Sequence, residues 1–161
     1  YLGDKQGAIA DYNAALKINY LTMTNAYYSR GATRYILGDK EGAIADYNAA
    51  LKISPNLWEA INNIGLIKYE QGDVKGAIKQ WQEAVAINNK ASEPLLALAV
   101  TLYAKEEREQ ALSKAKQAFI IDKRYGDLAY LKKNLWGERL LADAKKLLAS
   151  PEIQRFLADN P

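Results

Sequence analysis

The chain has 161 residues, with 22 Lys and Arg against 19 Asp and Glu, a formal net charge of +3, and neither cysteine nor histidine. Without those two residue types, disulfides, zinc sites of the Cys/His kind, Cys nucleophiles and Ser-His catalytic machinery are excluded. No apolar run approaches the roughly 20 residues of a membrane span, so we expect no membrane insertion. We also expect a cytoplasmic protein that binds no metal and no cofactor.

An internal repeat dominates the N-terminal part of the sequence. Residues 2–18, LGDKQGAIADYNAALKI, return at 37–53 as LGDKEGAIADYNAALKI, with Gln6 against Glu41 as the single difference. Weaker copies continue at 34-residue steps, in which alanines recur on both sides of a bulky residue: Ala8, Ala43, Ala77 and Ala111, then Tyr12, Tyr47 and Trp81, then Ala15, Ala50, Ala84 and Ala118. A unit of this length cannot bury its own apolar face, so the copies must stack on one another.

Each copy is predicted to form two antiparallel helices that are joined by a tight turn. From the second copy on, residues at i, i+3, i+4 and i+7 upstream of the alanine-rich helix mark one face of another helix. The predicted turns are Gly3-Asp4, Gly38-Asp39 and Gly72-Asp73, where Gly ends one helix in a left-handed conformation and Asp caps the next. The fourth copy has Glu106-Glu107 instead, so we expect a looser turn there.

These residues resemble the tetratricopeptide repeat (TPR), a 34-residue unit with the pattern W-x2-L-G-x2-Y, A-x3-F and P. The matching residues are Gly31, Ala43, Tyr47 and Pro55 in the second copy and Ile64, Gly65, Ala77 and Trp81 in the third. The resemblance implies an all-α, right-handed α-solenoid over residues 1–125, with a partial repeat at 1–23 and repeats at 24–57, 58–91 and 92–125. It also implies a non-catalytic protein-protein interaction scaffold.

The repeat period fails after the fourth copy. Asp127 can cap a short helix, and apolar residues at helical spacing follow it through Leu140 and Leu147. Ser150-Pro151 then begins a final helix. Because a stacked array ends in an exposed apolar face, we interpret residues 126–161 as capping helices, with Trp136 in the core.

Function is predicted on a second stripe of the first helices, which would line a concave groove. The stripe comprises Asn25, Tyr28, Ala32, Tyr35, Glu59, Asn62, Leu66, Tyr69, Glu70, Glu93, Leu96, Val100 and Tyr103. The resemblance implies that an extended peptide or a partner helix lies in this groove. The three tyrosines 34 residues apart form either an aromatic ladder for that partner or bridges between repeats. The stripe offers amides, phenols and carboxylates but no Lys for a terminal carboxylate, so we expect a neutral or basic segment.

The N-terminal helix supports an alternative role. Residues 7–18 present Ile9, Tyr12 and Leu16 without a preceding helix to cover them. Missing residues, further repeats or a second subunit would have to shield this face. The alternative function is therefore an assembly module that forms a homo-oligomer, or docks onto other domains, through this helix.

Two arginines depart from the family pattern, since Arg30 stands where the pattern has Leu and Arg34 where it has Tyr. A buried guanidinium needs a carboxylate, so we expect Arg30 to pair with Asp11 or Asp46. Anion binding by the two arginines is the alternative.

The remaining charged residues predict neither nucleic-acid binding nor an enzyme. The basic concentration Lys114, Lys116, Lys123, Arg124, Lys132 and Lys133 is interrupted by acidic residues, as on a solvated helix surface. Glu59 and Glu93 project from successive first helices, but acid-base catalysis needs one carboxyl in an apolar pocket that raises its pKa. No phosphate-binding glycine loop follows a strand.

Overall fold

The computed structural model describes residues 2–15 and 20–160. Over these ranges the chain forms helices and no strand: α1 (Leu2–Ala15), α2 (Tyr20–Ile36), α3 (Lys40–Ile53), α4 (Trp58–Glu70), α5 (Val74–Ile87), α6 (Ser92–Ala104), α7 (Arg108–Ile121), a 3-10 turn (Lys123–Gly126), α8 (Leu128–Lys133), α9 (Glu138–Leu148) and α10 (Pro151–Asp159). None of the helices in these ranges has both the length and the apolar character that crossing a membrane requires.

The helices stack as the repeats predict. The pairs α2/α3, α4/α5 and α6/α7 pack closely within each repeat, and α1 on α2, α3 on α4 and α5 on α6 join the repeats into an all-α solenoid. Helices α3 and α5 bury their repeated alanines together with the bulky residue between them, and Tyr47 and Trp81 are both 0 % exposed. These rings press directly on first-helix glycines, because a Cβ on Gly65 would lie 2.5 Å from Trp81 Nε1. The predicted close approach around an aromatic side chain is therefore confirmed.

The turns within the second and third copies have the predicted form. Gly38 and Gly72 adopt left-handed φ values of 89° and 88°. Asp39 and Asp73 then cap α3 and α5 by accepting hydrogen bonds from main-chain N–H groups three residues on. The predicted turn at 3–4 is wrong, because both residues lie inside α1.

The fourth turn is not looser than the others. Glu106 takes the left-handed position with φ 66°, and the Glu107 N–H donates to Leu102 O at 3.0 Å. The equivalent bond in the third copy, from Asp73 to Lys68 O, measures 2.9 Å. The turn keeps its geometry because its bonds are main-chain bonds, which do not depend on glycine. It lacks a side-chain cap and places a side chain where glycine is preferred.

Arg30 pairs with Asp46, which confirms one of the two partners considered. Its Nε and Nη2 donate to the buried carboxylate at 2.7 and 2.5 Å, and Arg34 Nη1 donates to it at 2.9 Å. A further hydrogen bond from Arg30 Nη1 to Asn13 Oδ1 joins α1 to α2. Both guanidinium groups are thus held between helices, which gives the anion-site alternative no support. Asp11 is exposed and is not the partner.

The C-terminal helices share one core with the third and fourth repeats. Leu131, Leu140, Leu147 and Ile153 are each 0 % exposed and belong to the apolar cluster that includes much of α6. Asp127 caps α8 as expected, by accepting from the Ala129 N–H. Helix α10 packs against α7, whereas α9 packs against α4 and α6. The segment therefore covers a face of the first helices as well as the last repeat.

Candidate partner-binding groove

The stripe of first-helix residues predicted to bind a partner, called the groove here, divides into a covered part and an open part. Five side chains are 3 % exposed or less: Asn62, Leu66, Tyr69, Leu96 and Val100. The remaining eight are half-buried or exposed. The covered part is the length of the stripe on α4 and α6 over which the C-terminal segment lies, and it includes the half-buried Glu70 and Glu93. Sequence reasoning assigned that segment to the end of the solenoid and missed its position in the groove.

Glu70 holds the beginning of α9. Its Oε1 and Oε2 accept hydrogen bonds from the main-chain N–H groups of Leu140 at 2.9 Å and Arg139 at 3.1 Å. A Cβ on Gly137 would collide with the Glu70 side chain, so glycine at this position gives the carboxylate its access. A carboxylate at a helix N-terminus satisfies otherwise unpaired donors and complements the helix dipole. Glu70 thus caps a helix that lies far from it in the sequence.

Tyr69 contacts the same helix further along. Its hydroxyl donates to Asp143 Oδ2 at 2.8 Å, and the Arg139 guanidinium lies 5.3 Å from the centre of its ring. Burial, followed by the hydrogen bond to Asp143, raises the pKa of Tyr69. The phenol is therefore a neutral donor committed to α9 at physiological pH.

Glu93 forms the third polar contact with the C-terminal segment. Its carboxylate accepts from Trp136 Nε1 and from Asn62 Nδ2, both at 2.9 Å. Burial raises the pKa of Glu93 to about 7, against the opposing effect of the two hydrogen bonds. This is the pKa-raising environment that acid-base catalysis would need, but both oxygens are engaged by groups of the same chain. Asn62 Oδ1 is buried beside it with no hydrogen-bond partner.

The open part of the groove lies on α2 and the first turn of α4. Asn25 is exposed, and Tyr28, Ala32, Tyr35 and Glu59 are half-buried. Within the described ranges, neither the Glu59 carboxylate nor the Tyr35 hydroxyl has a hydrogen bond. Burial, followed by the nearby Glu70 carboxylate, raises the pKa of Tyr35 to about 12, so its hydroxyl is a donor at neutral pH.

The three tyrosines of the predicted ladder have three different surroundings. Tyr35 is open, Tyr69 is buried under α9, and Tyr103 accepts a hydrogen bond at 3.0 Å from Arg108 of the adjacent α7. The Arg108 guanidinium also lies 5.3 Å from the Tyr103 ring centre. A continuous ladder is thus not available to a partner, and Tyr35 is the member that is free to contact one.

The residues predicted for self-association are only partly described. Ile9 and Tyr12 are half-buried on α1, which packs against α2. Leu16 lies outside the described residues. For metals, the described part of the chain contains no cluster of three or more Asp and Glu side chains that could hold an ion.

Comparisons with known proteins agree with the fold. A family model described as TPR repeat matches residues 25–72 and 65–106. A search of curated proteins finds no match. Among solved structures, a crystal structure of MamA is similar with a TM-score of 0.66 at 19 % identity, and the match covers 98 % of this chain and 91 % of that one.

Two further structures are similar at comparable identity. A MamA RS-1 ArsTM double mutant has a TM-score of 0.63 at 17 % identity, covering 98 % of this chain and 88 % of that one. A second crystal structure of the MamA protein has a TM-score of 0.54 at 19 % identity, covering 76 % and 85 %. Likeness at this level of identity shows a common fold.

Proposed function

The chain belongs to the tetratricopeptide repeat family of protein-interaction scaffolds, and we propose that its partner is a helix or extended peptide bound in the open part of the groove. The observation that carries this proposal is the pair of unengaged polar groups there, the Glu59 carboxylate and the Tyr35 hydroxyl. Beside them, the Tyr28 and Tyr35 rings present apolar area next to a polar tip, which is typical of residues that contribute to binding.

The charges of the open part favour a neutral or basic partner. Glu59 forms no ion pair with any residue that the structure describes, whereas Arg30 and Arg34 of the preceding repeat are both directed at Asp46. A segment that brings an N–H donor or a positive charge to Glu59 would satisfy this carboxylate as water is displaced. This attraction is partly solvent-exposed, so we expect binding to weaken as salt rises.

The division of the chain follows from the same proposal. We propose that residues 1–125 act as the repeat array and that residues 126–161 act as a capping segment which also fills the covered part of the groove. Alanine substitution at Tyr69 is therefore a poor test of partner binding, because it would disturb the contact with α9. A test of partner binding therefore requires variants in the open part of the groove.

The absence of cysteine allows a direct test of where a partner binds. An environment-sensitive fluorophore is attached at Asn25→Cys, in the open part, or at Glu83→Cys, which is exposed on α5 outside the groove. Binders are selected on the unlabelled protein from a displayed library of 16-residue peptides. We expect the selected peptides to shift the fluorescence of the label at 25 and to leave the label at 83 unchanged. Equal shifts at both positions, or failure to enrich any binder, would contradict the proposal.

The alternative role, homo-oligomerisation through the N-terminal helix, has weaker support. Ile9 and Tyr12 are half-buried rather than exposed, and α1 is tied to α2 by the hydrogen bond between Asn13 and Arg30. A molecular mass in solution that falls to the monomer value on Ile9→Asp would favour this role over the groove proposal.

A further inference from the structure

The covered and open parts of the groove are two copies of one site, one 34-residue repeat apart. Glu59 on α4 takes the repeat position of Glu93 on α6, and Tyr35 on α2 takes that of Tyr69 on α4. Each copy therefore pairs a carboxylate near the start of one first helix with a tyrosine hydroxyl near the end of the preceding one. The copy at Glu93 and Tyr69, called the filled copy here, is occupied by the C-terminal segment of the protein itself. The groups that this segment brings to the site show which chemistry such a site accepts.

The segment in the filled copy contributes one donor and one acceptor. The Trp136 indole N–H donates to Glu93, and seven positions later Asp143 accepts from the Tyr69 hydroxyl. Trp136 lies two residues before the first residue of α9, and Asp143 is in the second turn of α9, so the donor comes from the residues that lead into the helix and the acceptor from the helix itself. Apolar side chains of α9, such as Leu140 and Ala144, are 0 % exposed in the core.

The copy at Glu59 and Tyr35, called the open copy here, presents the same two groups without partners among the described residues. The Glu59 carboxylate and the Tyr35 hydroxyl are half-buried, and neither has a hydrogen bond within the described ranges. A ligand that covers them must bring a donor to the first and an acceptor to the second, because polar groups buried without partners oppose binding.

The C-terminal segment does not also bind in the open copy. Trp136 is 3 % exposed and Leu140 and Leu147 are 0 % exposed, so all three would be exposed to water if the C-terminal segment left the filled copy. The occupant of the open copy is therefore not residues 126–161 of the same molecule.

We propose that the open copy binds a segment of a partner protein in which an indole or cationic donor, just ahead of an amphipathic helix, faces Glu59 and a carboxylate in the second turn of that helix faces Tyr35. This inference rests on the proposed function and adds the chemistry of the partner. One difference between the copies refines it: Ile36, which is 51 % exposed, takes the position of the helix-capping Glu70. Ile36 cannot cap the start of the partner helix as Glu70 caps α9, so we expect an apolar side chain of the partner to pack against Ile36.

The filled copy supplies a defined probe. A synthetic peptide with the sequence of residues 134–150, fluorescein-labelled, is stapled between 138 and 142, two positions that are exposed in α9, and its helicity is checked by circular dichroism. Binding is measured by fluorescence anisotropy to the whole chain and to its variants Glu59→Ala and Tyr35→Phe. Glu83→Ala is the matched carboxylate control outside the groove. Thermal unfolding verifies that each variant is folded.

We expect Glu59→Ala to weaken binding of the probe about tenfold or more, Tyr35→Phe to weaken it about fivefold, and Glu83→Ala to leave it unchanged. Replacing the tryptophan of the probe by phenylalanine removes the donor. This change should weaken binding to the unmodified chain but cause little further loss on Glu59→Ala, because a double-mutant cycle isolates the contact between the two groups.

Two results would overturn the inference, and both leave the proposed function to its own test. The first is a probe that shifts the fluorophore at Asn25→Cys but shows no coupling between its tryptophan and Glu59. The second is a helical probe that does not bind at millimolar concentration. Library peptides that still shift the label at 25 would keep the groove as the partner site with a different partner chemistry.

Discussion

Glu93 provides the sharpest test of how the C-terminal segment is held in the groove. Its carboxylate binds Trp136 and Asn62 in a partly buried position, and its pKa rises to about 7 from an ordinary value of 4.5. The perturbation is Glu93→Gln, which removes the charge and keeps the shape. The new amide can still accept from Trp136, and after rotation of the Asn62 amide it can donate to Asn62 Oδ1, which has no partner in the native protein.

The magnitude follows from the pKa values. Because the pKa of the carboxyl is higher in the folded than in the unfolded state, the folded protein binds more protons between about pH 4.5 and 7. The contribution of Glu93 to the free energy of unfolding is therefore greatest below pH 4.5 and is lost as pH rises through 7. One pKa unit corresponds to about 1.4 kcal/mol, so the loss across this window is about 3 kcal/mol. Tyr28 and Tyr125, which lie near this carboxylate, have raised pKa values and stay neutral throughout the window.

Urea unfolding at pH 5 and pH 8, monitored by tryptophan fluorescence, measures the effect. We expect Glu93→Gln to have nearly the unfolding free energy of the native protein at pH 5 and to exceed it by about 2–3 kcal/mol at pH 8. Glu59→Gln, one repeat earlier and without a hydrogen bond, is the matched control and should reproduce the pH profile of the native protein. If the difference between Glu93→Gln and the native protein is the same at both pH values, the assignment of a buried, destabilising charge is refuted.

Three further substitutions test other parts of the fold. Glu106→Gly should raise the free energy of unfolding by about 0.5–1 kcal/mol in urea titration, because glycine adopts the left-handed φ without strain; a decrease would contradict this account. Asp46→Ala should lower it by roughly 3 kcal/mol, since Arg30 loses its carboxylate, and an effect below 1 kcal/mol would show that solvent already screens the pair. Glu70→Ala should weaken α9 by about 1 kcal/mol, seen as faster hydrogen exchange of the Leu140 amide, whereas unchanged exchange would exclude the capping role.

Most of the solenoid was predictable because its interactions are local and repeated. Gly65 and Trp81 lie 16 positions apart in one helix pair, and their equivalents recur in the copy before, so one pattern specifies two contacts. The left-handed Gly38 and Gly72 follow from the same regularity. The fourth turn was mispredicted because the expectation depended on residue type, whereas main-chain hydrogen bonds determine the geometry at Glu106.

The covering of the groove could not be predicted, because its contacts join distant and unrepeated parts of the chain. Glu70 and Leu140 are 70 positions apart, and the amphipathic pattern of α9 indicates a buried face without naming its neighbour. Gly137 beside Trp136 was the one local signal, since an isolated glycine before a helix often marks a close approach of another group. The sequence alone does not identify Glu70 as that group.

The two copies of the groove site also differ in what they tolerate from a ligand. In the filled copy the polar groups were matched when the chain folded, with Trp136 on Glu93 and Asp143 on Tyr69. In the open copy Glu59 has no hydrogen bond to any of residues 2–15 and 20–160, so an apolar helix that covers it must bury a carboxylate without a donor. Such a penalty commonly exceeds the gain from a few buried methylene groups, since leaving a charged group unsatisfied costs more than about 1–3 kcal/mol. Selectivity at this surface therefore arises chiefly by rejecting partners that lack the donor.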